Sequence, residues 1–408
     1  MKKCVLIGLA IAAAALPVAA NDWPRWRGPK NDNISTDTQF STQWPAAAKK
    51  VWAAPVDIGY ASPIAADGVV YVFTSLSKKD TLTAFKADSG QRVWQESYDN
   101  AWTGGYAGTR ATPAIDGGNI FTFGGAGDLT SRDLKTRKAN WQTNVISTLK
   151  AGNLQWGASS NMLIDGDLIY VQTGENAPIA VAVNKSNGQI THRSVVKDKA
   201  GYAAPILAEV GGKKQIIVFG ASTIYGLSPD LQTKLWSTPW RTDWDVNAST
   251  PIYSDGKLFV TSGYKTGGGL YEITDKGAKQ LWFNGDLKSR FQGAVLDGGY
   301  LYMATEAKKP DGRVVVAEWA TGKIVAELPD RGTELGMGGS VVRHGNHLVG
   351  LSERGSLSLY SATKDGIKRV TEYRNVVDGS QVWSTPLIYN GNIYVKGKDE
   401  IVCISTRP

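Results

Sequence analysis

One segment recurs around the whole chain. "ASPIAADGVVYVFT" from Ala61 is answered by "ATPAIDGGNIFTFG" from Ala111, "SSNMLIDGDLIYVQT" from Ser159 and "AAPILAEVGGKKQIIVFG" from Ala203. Then follow "STPIYSDGKLFVTSG" from Ser249, "QGAVLDGGYLYMATE" from Gln292, "GSVVRHGNHLVGLSE" from Gly339 and "STPLIYNGNIYVKGK" from Ser384. Eight copies from Pro63 to Pro386 give a period of about 46 residues. That length suits four short strands, and a series of such units closes into a ring.

Each copy carries the signals of a hairpin. Pairs such as Asp67-Gly68, Asp165-Gly166 and Asn390-Gly391 suit the positive φ angles of tight turns. The β-branched and aromatic runs after them, "VVYVFT" and "LIYVQT", read as buried strands. No stretch has helical periodicity. The 46 glycines and 14 tryptophans agree with many tight turns and aromatic packing between them.

The second half of the unit is typified by "AFKADSGQRVW", Ala84 to Trp94. Its echoes include "SRDLKTRKANW", ending at Trp141, and "EITDKGAKQLW", ending at Trp282. His192 stands at the Trp position of the third copy. The last copy stops at "IVCISTRP", before its outer strand, and "AAKKVW" places Trp52 where the missing tryptophan belongs. The expected fold is therefore all-β: an eight-bladed β-propeller of four-stranded antiparallel blades over 47–408, closed by an N-terminal strand. Residues 21–46 read as an N-terminal strap. Cys403 falls in register with Ala84 and reads as a buried structural thiol.

The first twenty residues read as a signal peptide. A basic "MKK" precedes the apolar "VLIGLAIAAAA", too short to span a bilayer, and small residues allow cleavage after Ala20. This predicts a periplasmic or secreted protein, without an integral membrane segment after signal removal, and a monomer. Cys4 is not at the end of the apolar run, where a lipid-bearing cysteine would be. Cys403 is then the one mature cysteine, which excludes an internal disulfide, a thiolate metal cluster and C-x-x-C-H haem attachment. The net charge of +8 falls to about +6 without Lys2 and Lys3, and the charges are interspersed. No nucleic-acid footprint is expected.

The repeated A-x-D-x-x-T/S-G-x-x-x-W pattern resembles the pyrroloquinoline-quinone (PQQ) propeller superfamily. The likeness runs from "DWPRWRGPKNDNIS" at Asp22, similar to the strap of secreted PQQ-like propellers, to "VWSTPLIYNGNIYVKGKDEIVCI". It implies one of two jobs. Quinoprotein dehydrogenases hold PQQ and Ca²⁺ in the central funnel and oxidise alcohols or sugars. A BamB-like branch binds protein partners without a cofactor. Arg110 falls near where the dehydrogenases set an arginine against the quinone. Their methanol- and ethanol-oxidising members carry adjacent cysteines where this chain has Gly104-Gly105.

Loops entering the innermost strands of a propeller meet at one channel mouth. Here they carry Tyr60, Arg110, Trp156, Tyr202, Asn247, Arg290, Gln292, Gln381 and Trp383, with Trp240 and Trp244 just upstream of the fifth strand. Arg110, Trp156, Asn247, Arg290 and Trp383 are the expected cofactor- or ligand-binding residues. Aromatics with arginines suit a planar anion or a sugar, and the same residues suit a plug packed on itself. No catalytic set and no metal set emerges. "DWDVNAST" from Asp243 starts like a calcium loop but has Ala248 and Ser254 where Gly and Glu are needed. His344 and His347 flank a turn without a third ligand. "GLSERG" is not G-x-S-x-G, and "FGGAGD" and "KTGGGL" read as interstrand turns. The functional expectation is an exported, non-catalytic binding or scaffold propeller, with a protein partner in the cell envelope or a small ligand in the mouth. The alternative is a PQQ-dependent oxidoreductase.

Overall fold

A computed structural model describes residues 21–306, 313–328, 335, 338–379 and 381–407. The signal segment and its cleavage point after Ala20 lie outside the described residues. Antiparallel four-stranded meanders draw on residues 64–99, 114–144, 163–193, 206–239, 252–284, 294–327 and 340–373, here blades one to seven. Blade eight takes three strands from 387–405 and its outer strand, Lys49–Pro55, from the other end of the chain. The molecule is an eight-bladed β-propeller. One four-residue helix, Val145–Thr148, occurs among the described residues.

The hairpins form because both central turn residues can adopt positive φ. Asp67 and Gly68 have φ of 51° and 75°, and Asn390 and Gly391 the same pair of values. Blade three differs by one residue from the sequence expectation. Asp165 ends its strand, and the turn pair is Gly166-Asp167 with Gly166 at φ 60°. "KTGGGL" also departs from expectation. Gly267–Thr274 is a strand, with Gly268 opposite Thr261 and Gly269 opposite Val260. The bare backbone there admits the Trp240 ring, which lies 3.0 Å from where a Cβ of Gly269 would stand.

The closure is in register. Trp52 pairs with Cys403 as Trp94 pairs with Ala84 and His192 with Ala182. Apolar burial is concentrated between consecutive blades. One cluster joins Tyr71, Trp94 and Ile120 of blades one and two, and another spans blades seven, eight and one. Three outer-strand tryptophans cross the gap. Trp52, Trp141 and Trp282 each lie against the turn glycine of the next blade: Gly90, Gly188 and Gly322. Each donates Nε1–H to a carbonyl beside that turn, at Ala87, Lys185 and Trp319. Trp236 instead lies over Gly226 of its own blade and donates to Gln215.

The strap crosses the face opposite the mouth. Trp23 bridges Ala65 of blade one, and Pro24 accepts from Ile115 of blade two. The chain then dips inward. Trp26 donates to Thr250 before blade five, and the buried Arg27 donates to the Ala294 carbonyl of blade six at 2.8 Å. Burial pulls the Arg27 pKa down to about 10. Asn33 and Asp37 tie the end of the strap to blades seven and eight.

Candidate functional site

The entry loops meet around a cavity of about 550 Å³. Of the five expected binding residues, Arg110, Trp156, Arg290 and Trp383 line it, and so do Tyr60, Tyr202, Trp244 and Gln292. Trp383 is its hub. The rings of Tyr60, Tyr106 and Phe291 lie 4.9, 5.2 and 4.8 Å from it, and Tyr106 also meets Trp156 at 5.5 Å. These separations are those of tilted aromatic pairs in mutual contact. The rings leave a cavity and do not fill it.

Asn247 is not at the cavity. It is fully buried between blades four and five. Its Nδ2 donates to the Gly220 and Ala221 carbonyls, and its Oδ1 accepts from Thr242 and Ser262. All its capacity goes to holding loops together. Trp240 is likewise buried, against Phe219 and Tyr271. Gln381 is exposed and outside the lining.

Both arginines are occupied by the protein. Arg110 donates to the carbonyls of Gly108, Gly105 and Tyr106, and so cups its own loop. It also lies over the Tyr60 ring, and burial lowers its pKa to about 10. Arg290 pairs with buried Glu306 at 2.5 Å and lies 4.1 Å from the Tyr264 centroid. The second Glu306 oxygen accepts from the Tyr264 amide. Burial raises the Tyr60 and Tyr264 phenols, and Tyr202 to about 12, so the tyrosines stay neutral donors at pH 7.

Four aromatic lining residues escaped the sequence reading. Phe291 lies between two residues already singled out, and Tyr106 stands in the loop that Arg110 cups. Tyr264 belongs to the turn between the second and third strands of blade five. A meander brings those turns to the same mouth as the entry loops, a rule that would have found it. Trp26 comes from the strap and reaches the cavity from the far side, which no repeat pattern encodes.

The other loop readings resolve locally. Asp245 pairs with Lys199, which also pairs with Glu175. With Asn247 turned to backbone carbonyls, "DWDVNAST" does not gather its oxygens at one point. His344 and His347 face each other across a hairpin, and His344 packs on Phe40 at 4.8 Å.

The sequence profile described as "Outer membrane protein assembly factor BamB" matches residues 37–156 and 153–328. The chain belongs to this family. It is a BamB-family, PQQ-like β-propeller repeat protein. No curated protein sequence matches it. Among solved structures, BamB from Moraxella catarrhalis is 16% identical, with a TM-score of 0.64 over 88% of this chain and 100% of that one. A europium-containing methanol dehydrogenase is 14% identical, at TM-score 0.66 over 93% and 90%. The computationally designed Ika8 protein is 9% identical and superposes at 0.63 over 87% and 98%. A designed ring fits this BamB-family propeller about as well as the natural ones, so the likeness speaks for fold alone.

The family resemblance raises PQQ with Ca²⁺, and the cavity can be tested for both. Calcium takes about six to eight oxygen ligands, carboxylates foremost. Among the described residues, no Asp or Glu lines the cavity of this BamB-family chain. Of the lining's three side-chain amide oxygens, those of Asn161 and Gln292 already accept from Thr112 and Thr385, which leaves Gln155, too few for a calcium cage. The quinone's carboxylates would need guanidinium donors, and those of Arg110 are turned to its own loop. The donor set does not fit the quinone–calcium pair.

Proposed function

We propose that this protein is a non-catalytic binding propeller of the cell envelope, exported by its signal peptide and receiving its ligand or partner at the mouth cavity. One observation carries the reading. Among the described residues, the cavity is walled by nine aromatic side chains and no carboxylate. That suits recognition by stacking and shape, and supplies no general base and no hard-cation cage. Membership of the BamB family supports a protein partner in the envelope as the wider context. The competing reading is a PQQ-dependent oxidoreductase, with Arg110, Arg290, Trp156 and Trp383 around the quinone. The stacking surface of Trp156 and Trp383 favours it, and the donor set opposes it.

The test is a titration of the purified mature chain with PQQ, with and without Ca²⁺. The expected result is no quinone absorbance retained after desalting, no melting shift and no dye reduction with alcohols or aldoses. Saturable, calcium-dependent PQQ binding with turnover would overturn the binding reading.

A further inference from the structure

We propose that the mouth cavity is a saccharide pocket, with Trp244 and Tyr106 as the platforms at its rim. The proposal rests on the binding reading above and names its ligand class. Three properties of the lining select that class. The first is charge. Among the described lining residues no carboxylate attracts a cation, and the guanidiniums are engaged by the Gly105, Tyr106 and Gly108 carbonyls and by Glu306. A ligand dominated by formal charge has little to meet.

The second property is the placement of the rings. Trp244 is 68% exposed and Tyr106 45%, although both line the cavity. Both are held at positive φ, 65° and 55°. Bulky side chains seldom occupy that region, and such conformations persist where the surrounding structure enforces them. Trp244 is held by its neighbours: Asp245, also at positive φ, pairs with Lys199, and Thr242 bonds Asn247. Tyr106 is held by the Arg110 guanidinium on its carbonyl. The result is two aromatic faces presented to solvent above a deeper layer formed by Trp383, Tyr60 and Phe291.

The third property is the polar remainder. Asn161 uses its Oδ1 on Thr112 and has Nδ2 left over, and Gln155 is exposed. The Ser159 hydroxyl donates to Gly157 and keeps its lone pairs. These groups match partners that both donate and accept, as sugar hydroxyls do. A pyranose joins an apolar C–H face, which stacks on an aromatic ring, to a hydroxyl edge that bonds amides. About 550 Å³ accommodates about two such rings. An extended peptide, by contrast, is held by main-chain bonds to a strand edge, and the lining residues all lie outside the strands.

The experiment presents the mature chain to a glycan array of di- to tetrasaccharides, followed by calorimetry and tryptophan quenching with each hit. An aromatic- and proline-rich peptide library and PQQ with Ca²⁺ form separate arms. The expected result is saturable binding of at least one saccharide. Trp244→Ala and Tyr106→Ala should each weaken it tenfold or more with an unchanged melting temperature. Leu76→Ala, at an exposed position outside the lining, should leave it unaltered. Saccharide binding that survives both rim substitutions overturns the proposal. So does an array without hits. If peptides bind instead and the rim substitutions abolish it, the saccharide assignment falls and the binding reading stands. If only PQQ with Ca²⁺ binds, both fall.

Discussion

Trp52, from the N-terminal strand of blade eight, rests on Gly90 in the turn of blade one. A Cβ at Gly90 would fall 2.5 Å from the indole Cδ2. The indole also donates to Ala87 of the same turn at 2.9 Å. This contact joins the two ends of the ring, and Trp141 on Gly188 and Trp282 on Gly322 repeat it between interior blades.

Gly90→Ala should therefore be costly. It combines a φ of +68° with a clash against a rigid ring, for an expected loss of about 3 kcal/mol. Gly68→Ala is the control, with φ +75° and nothing within 4 Å, and should cost only about 1 kcal/mol. Urea denaturation of both variants separates the contact from the backbone strain. Equal losses would mean that Trp52 adds nothing to closure.

Asn247 is a structural clamp, although the sequence places it beside binding residues. Asn247→Ala strands the Gly220 and Ala221 carbonyls and the Thr242 and Ser262 hydroxyls in a buried site. The expected destabilisation is about 3 kcal/mol. Trp244→Ala, three residues earlier and largely exposed, should change stability by less than about 0.5 kcal/mol. Thermal denaturation of the pair checks the division between clamp and rim.

The contrast between those two residues marks how far sequence reasoning reached. Spacing was enough for the blades, the closure and the register of Trp52 with Cys403, because strand alternation and turn glycines repeat around the chain. It was also enough for which loops reach the mouth, and so for Arg110, Trp156, Arg290 and Trp383. It did not distinguish Asn247 from them, because residues of one loop point to different places, and the carbonyls and hydroxyls that draw Asn247 inward come from other segments. Trp244 at 65° turns outward, whereas Asn247 turns into the blade interface. Trp26 was hidden for another reason. It reaches the cavity from the strap, which obeys no repeat.

Two buried ionisable groups predict how stability varies with pH. Burial raises Asp80 from 3.8 to about 7, outweighing its bond from Ser75, and Oδ2 has no partner among the described residues. The folded protein then binds the extra proton between those values, so this contribution is full below pH 3.8 and is lost as pH rises through 7. Burial lowers Lys396 from 10.5 to about 7, although its ammonium donates to the carbonyls of Gly59 and Gly397. Its contribution is full above 10.5 and is lost as pH falls through 7. Together the two give a minimum of stability near pH 7. Denaturation across pH 4 to 10, values set by those shifts, should show Asp80→Asn flattening the acid limb and Lys396→Met the alkaline limb. Unchanged limbs in both variants would refute the assignment.

Arg110 organises the rim through its own loop. Its guanidinium spans the carbonyls of Gly105, Tyr106 and Gly108, a planar fork that one lysine ammonium cannot reproduce. Arg110→Lys keeps the charge and loses that geometry. The loop should open locally while the blades stay intact, because the bonds removed lie outside every strand. Hydrogen exchange at residues 105–108 should quicken by about tenfold, corresponding to about 1.4 kcal/mol of local stability, while blade interiors exchange as before. Tyr106 should lose its fixed position over Trp383 and Trp156, and tryptophan fluorescence should shift accordingly. If exchange at 105–108 stays at the wild-type rate, the loop is held by something other than Arg110, and the positive φ of Tyr106 needs another cause.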